Sequence, residues 1–151
     1  MTDRVTAERR HPGQVLYVSW GGTGRSSSLR AAFREAASDG GPLVYLAVLD
    51  QSSFGDVDDE MARVVADELE WLLDAQINLT RSQLGLDDLP VQVSVRRGEV
   101  IDEVVEAIET MGDAKILLGA PVPIAGHESL DAFVASVARR TGQETSVASG
   151  D

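Results

Sequence analysis

Two stretches of this sequence have the residue types and spacing to hold an anion. In each, a short apolar run ends in a glycine-bearing loop that leads into a helical pattern. The first reads Val15-Leu16-Tyr17-Val18, then Gly21-Gly22-Thr23-Gly24-Arg25, with a helix expected from about Ser26. The second reads Ile116-Leu117-Leu118, then Gly119 through Gly126, with a helix expected from about Ser129. Unpaired backbone N–H groups at a helix N-terminus bind anions, aided by the positive end of the helix dipole. Glycine lets such a backbone come close to its ligand. In an open α/β sheet, loops of this kind on neighbouring strands flank the crevice where ligands bind.

The two loops differ in their chemistry. Gly21, Gly22, Thr23 and Gly24 are followed by Arg25 and three serines beginning at Ser26, with no carboxylate among them. That is the better anion candidate, although a sharp strand-to-helix turn needs the same glycines for geometry alone, and we place that structural reading first. The stretch also resembles the Ser-Gly-Gly-x-Asp-Ser loop of ATP pyrophosphatases, but the aspartate is missing and Trp20 interrupts its opening. The second loop carries Glu128, Ser129 and Asp131 at the helix start, where carboxylates already take the favourable anionic position. Pro121 and Pro123 lack the N–H groups that a phosphate loop uses.

Other polar residues reach the same rim. Arg96 and Arg97 end the third apolar run and can meet an anion or balance a carboxylate such as Glu99 or Asp50, the second being preferred. Asp50 ends the second run and can touch a ribose hydroxyl or cap a turn; the cap is preferred. His11 and His127 have no spacing that suggests a metal site or a catalytic triad. The chain has no cysteine, which excludes disulfides, zinc–thiolate sites and thiol catalysis.

The elements that must position these residues follow from periodicity. Val15–Ser19, Leu43–Leu49, the Val91/Val93/Val95 run and Lys115–Leu118 read as strands, and Thr145–Ala148 as a short closing one. Near-continuous apolar strands suit a parallel sheet covered on both faces. Leu29, Ala32, Phe33 and Ala36 mark a first helix, stopped by Gly40-Gly41-Pro42. Met61, Val64, Val65, Leu69, Leu72 and Leu73 mark the inner face of a long second helix from about Val57 to Leu84. Its acidic face, from Asp56 to Asp74 with Arg63 as the counter-charge, reads as solvated, with docking of a basic partner as the alternative. Trp71 falls on its flank. A third helix buries Val100, Ile101, Val104, Val105 and Ile108 and turns Asp102, Glu103, Glu106 and Glu109 to water; Leu130, Phe133, Val134 and Val137 mark a fourth. This alternation predicts a single-domain α/β fold: a doubly wound, five-stranded parallel sheet in the order 3-2-1-4-5 with helices on both faces. Residues 1–13 read as a flexible tail and residues 14–151 as the domain.

Net charge is −12 over 151 residues, which opposes contact with nucleic acid or anionic lipid. No apolar run approaches the roughly 20 residues of a membrane helix, and the first residues have no signal-like apolar core. A cytoplasmic location is therefore expected. Lys115 is the one lysine in the chain and reads as a mark of composition, not of a site.

Element order and several local phrases resemble the universal stress protein family. Val95-Arg96-Arg97-Gly98-Glu99-Val100-Ile101 resembles its valine-x-x-glycine entry to an amphipathic helix. Ile116-Leu117-Leu118-Gly119-Ala120 resembles the strand ending in Met-Gly-Ser, and Phe133-Val134-Ala135 through Ser146-Val147 the closing helix and strand. The resemblance covers about Val15–Ala148 and implies Gly21, Gly22, Thr23, Gly24, Ser26, Asp50, Arg97, Gly98 and Gly119 as the positions of any nucleotide site. ATP-binding members carry Gly-x2-Gly-x9-Gly-Ser/Thr after the fourth strand; here those positions after Gly119 are Val122, Ala132 and Phe133. The family's first-strand aspartate is Trp20. The ATP motif is thus degenerate.

The expected function is a regulatory or interaction domain of the stress-protein type without standard ATP binding and with no cofactor. The alternative is a nucleotide-binding stress protein, for ATP or AMP, that uses a rearranged glycine loop. A third reading is an adenylating or pyrophosphatase-type enzyme, for which no nucleophile, general base or metal cluster is evident. The expected partners are a second copy, paired through the final edge strand, and another protein.

Overall fold

Residues 14–20, 26–49, 58–119 and 130–148 are described by a computed structural model of the chain. Strands β1 (Val15–Trp20), β2 (Leu43–Leu49), β3 (Val91–Arg97), β4 (Lys115–Leu118) and β5 (Thr145–Val147) alternate with helices α1 (Ser26–Asp39), α2 (Asp59–Gln83), α3 (Val100–Met111) and α4 (Leu130–Thr141). The strands form one parallel sheet in the order β3-β2-β1-β4-β5, as the sequence predicts. Register is fixed by pairs such as Tyr17 with Tyr45 and with Leu117. The expected tail lies outside the described residues, among which no helix is long and apolar enough to cross a membrane.

Because side chains alternate along a strand, β1 feeds two cores. Leu16, Val18 and Trp20 join Leu46, Val48, Ile116 and Leu118 under Val104 of α3 and Phe133 and Val137 of α4. Val15 and Tyr17 join Leu43, Tyr45 and Ala47 under Phe33 of α1 and Leu73 and Ile77 of α2. Every residue of β1 is buried, which continuous apolar sequence in a central parallel strand requires. The valines of β3 are half-buried because β3 is an edge.

Two expectations about helix faces are corrected. In α2 the sheet takes Ala62, Leu73, Ile77 and Thr80, with Leu69 partly covered, whereas Met61, Val64 and Leu72 are exposed. Apolar residues extend around more than half of this helix, so periodicity alone could not select the buried stripe. The helix also starts two residues later than expected because Asp58 is its N-cap, accepting from the Met61 N–H at 2.8 Å. In α3, Glu103 does not face water: only 16% of its side chain is exposed, beside Arg96.

Lys115 also departs from its reading as composition alone. At the start of β4 its ammonium meets Glu35 at 3.2 Å, Glu144 at 3.6 Å and Asp39 at 3.8 Å. Burial opposes its charge, but these carboxylates outweigh that and hold its pKa above the usual lysine value. Lys115 thus ties α1 to the base of β4 and to the entry of β5.

Candidate functional site

All helices follow parallel strands, so their N-termini gather at the carboxyl edge of the sheet, where ligands of such folds bind. Gly21, Gly22, Thr23 and Gly24 lie outside the described residues, as do Asp50, Pro121, Pro123, His127 and Glu128. Ser26 opens α1, whose first turn contains no acidic residue. The first turns of α2, α3 and α4 carry Asp59 and Glu60, Asp102 and Glu103, and Asp131. The dipole is therefore met by a carboxylate in those three helices.

Trp20 closes β1 at this edge. Its side chain is 5% exposed and packs on Phe133, with ring centroids 5.1 Å apart and planes tilted by 58°. Trp20 and Phe133, the two positions read from the sequence as departures from the ATP-type motif, thus touch as one apolar contact between β1 and α4. At the end of the sheet, Ser19, Trp20, Tyr45, Val48, Leu69 and Leu73 border a cavity of about 20 Å³, room for a single water. The Ser19 hydroxyl donates to Tyr45 Oη at 3.1 Å, and Tyr45 stacks edge-on against Tyr17 at 5.0 Å.

Gly119 follows β4 and donates its N–H to Val18 O at 2.7 Å. A Cβ at this position would overlap the Tyr17 phenol. That close approach accounts for the glycine without any phosphate. Gly98 sits at φ 157°, donates to Leu49 O at 3.1 Å, and would place a Cβ 2.6 Å from a Glu103 oxygen. The Ser28 hydroxyl, one of the three expected to be available to an anion, instead lies buried and donates to Ala148 O at 3.3 Å.

The arginines are engaged by carboxylates, as preferred, and among the described residues Glu99 is not one of them. Arg96 meets Glu106 at 2.7 Å and Glu103 at 3.7 Å, while Arg97 meets Asp59 of α2 at 3.0 Å. Glu99 instead caps α3, accepting from Ile101 N–H at 2.9 Å and Asp102 N–H at 3.2 Å. The Arg97–Asp59 pair joins residues far apart in sequence, so no local signal could have disclosed it. Among the described residues, no group of three His, Asp or Glu side chains is placed to hold a metal ion.

Burial pushes the Glu103 carboxyl above the usual carboxylate range, and Glu106 and Asp102 add to the shift against the attraction of Arg96. A raised folded-state pKa means that the native protein binds more protons than the unfolded chain across that window. Stability contributed by this group is present below its unfolded pKa, about 4.3, and is lost as pH rises through the folded value. Glu103→Gln is expected to flatten this decline, measured as Tm across that acidic range. A decline of unchanged slope would place the proton uptake elsewhere.

This architecture defines a doubly wound α/β domain with an aromatic pair buried near the carboxyl edge of its sheet. The model of the Universal stress protein family matches residues 21–147, and the chain belongs to that family. Among solved structures, it is similar to a universal stress protein in complex with cAMP, at 21% identity and TM-score 0.55, covering 91% of this chain and 98% of that one. It is similar to universal stress protein UspA from Lactobacillus plantarum at 11% identity and TM-score 0.57, covering 92% and 99%. A hypothetical protein whose biochemical function was assigned from its structure shares 12% identity with a TM-score of 0.61, covering 91% and 95%. No curated protein sequence matches. At these identities the likenesses concern the fold.

Proposed function

We propose that this chain is a regulatory and interaction module of the universal stress protein family that does not use the family's standard ATP site. The observation that carries this reading is the buried contact of Trp20 with Phe133, at the two positions where an ATP-type site needs a carboxylate and a small hydroxyl residue. An indole packed there contributes several kcal/mol to stability, on the order of the cost of a Trp→Ala cavity, and opening the crevice would forfeit it. Arg96 and Arg97 are neutralised by carboxylates and offer little to a polyphosphate. Native mass spectrometry of gently purified protein tests the reading. The bare chain mass is expected, and a co-purifying nucleotide would overturn it.

The second reading keeps a nucleotide but moves it to the glycine loop before α1. It draws support from the cAMP complex of one fold neighbour and from the absence of carboxylates in the first turn of α1. In that case an anion should rest on the amides of residues 21–27, beside Arg25. Phosphate titration followed by amide NMR would move those resonances first. Shifts centred on residues 119–129 would contradict this placement.

The module is proposed to work as a homodimer through β5. Among the described residues this strand pairs with β4 on one side only, and Val147 is 38% exposed. Its free edge carries N–H and C=O groups without Lys, Arg or Pro to block pairing. Two such edges related by a two-fold axis make a closed pair. Sedimentation is expected to show a dimer, with monomer or unfolded chain after truncation beyond Gln143. A clean monomer of the full chain at micromolar concentration would remove this assembly.

A further inference from the structure

The apolar side chains of α2 that the sheet leaves uncovered form a surface of their own. Apart from Val147, every large hydrophobic exposed among the described residues lies on this helix: Met61, Val64, Trp71, Leu72 and Leu79. Trp71 is 72% exposed and Leu79 60%. With 3.6 residues per turn, these positions fall within an arc about 100° wide that runs about 27 Å along the helix. The arc lies away from Ala62, Leu73, Ile77 and Thr80, which face the sheet. Isolated exposed hydrophobics are ordinary, but five large ones gathered on one arc of a single helix mark a contact surface. On the stripe itself, Asp67, Glu68, Trp71 and Leu72 border a shallow depression that is open to solvent.

Charge selects the occupant. Glu60, Asp67 and Asp74 run along one edge of the stripe, and Glu68 lies within it. An isologous pair of such helices, packed antiparallel about a two-fold axis, would set this acidic edge against its own copy. An anionic membrane surface or a nucleic acid would meet the same repulsion in a chain of net charge −12. We propose that α2 is a docking face for a basic amphipathic segment of another protein. Apolar residues of that segment cover Met61, Val64, Trp71, Leu72 and Leu79, while its lysines or arginines lie along Glu60, Asp67 and Asp74. This is helix-face recognition of the kind read by anchors at i, i+3, i+4 and i+7. The surface lies on α2 and does not depend on what the carboxyl edge of the sheet binds.

Trp71 reports directly on this contact, because the only other tryptophan, Trp20, is buried. A leucine–lysine peptide with helical spacing, of about the length of the stripe, is titrated into the full chain at low salt. Saturable binding with a blue shift of Trp71 emission is expected, weakening about tenfold in high salt as the charge contacts are screened. A peptide of the same pattern with glutamate for lysine, and a shuffled leucine–lysine peptide, should bind at least about tenfold more weakly. Leu72→Ser with Leu79→Ser should lose affinity to a similar degree while the circular dichroism stays unchanged. Equal binding of the shuffled or acidic peptide, or full affinity of the double variant, would overturn the proposal. So would a dimer in sedimentation that Leu72→Glu dissolves, since the face would then belong to a second copy.

Discussion

Trp20→Ala is expected to lower the free energy of unfolding by about 3–5 kcal/mol, a large part of the 5–15 kcal/mol typical of a domain. The reason is geometric. Trp20 ends a strand buried along its whole length and fills the space between β1 and α4 against Phe133. Alanine would leave a cavity that the paired strands on both sides of β1 cannot collapse to fill. Phe133→Ala should cost a similar amount, and the double variant should cost less than the sum because the two deletions share one contact. The coupling expected for such an aromatic pair is about 0.5–1.5 kcal/mol. Urea unfolding of the four proteins gives these values. A loss below about 1 kcal/mol for Trp20→Ala would show that the indole is not a core element.

Gly119→Ala is the next largest expected loss, about 1–3 kcal/mol or more. The added methyl would overlap the Tyr17 ring and hydroxyl, and both are held in the sheet. The Tyr17 hydroxyl is buried beside the Ser28 hydroxyl and makes no hydrogen bond of good geometry among the described residues. Desolvation by this burial raises its pKa far above the usual phenol value. Tyr17→Phe alone should therefore be close to neutral, and combined with Gly119→Ala it should recover part of the loss by removing the overlapping oxygen. Denaturation midpoints measure this cycle. If Tyr17→Phe gave no recovery, the glycine would be required by something other than the phenol beside it.

The sheet order was legible in the sequence because continuous apolar strands alternating with amphipathic helices allow few arrangements. The second helix shows where such reasoning stops. Apolar residues cover so much of α2 that several stripes qualify, and only tertiary packing selects Leu73 and Ile77 over Met61, Val64 and Leu72. Glu103 turned inward for a related reason: Arg96, on the preceding strand, offers a partner that helical periodicity does not register. At the candidate site, the departures at Trp20 and Phe133 could be read one by one. That they touch each other could not, because they are joined only by the packing of β1 against α4. The sequence resemblance placed Gly119 in a nucleotide site; its close approach to the Tyr17 phenol is a packing requirement that the sequence does not signal. The pairing of Arg97 with Asp59 had no sequence signal at all.

Isothermal titration of the full chain with Mg-ATP tests the central claim most directly, with cAMP titrated in parallel. No saturable heat from ATP is expected, or a dissociation constant no tighter than about millimolar, near −4 kcal/mol. Low-micromolar binding, near −8 kcal/mol, would contradict it and return the carboxyl edge of this sheet to the nucleotide-binding members of the family.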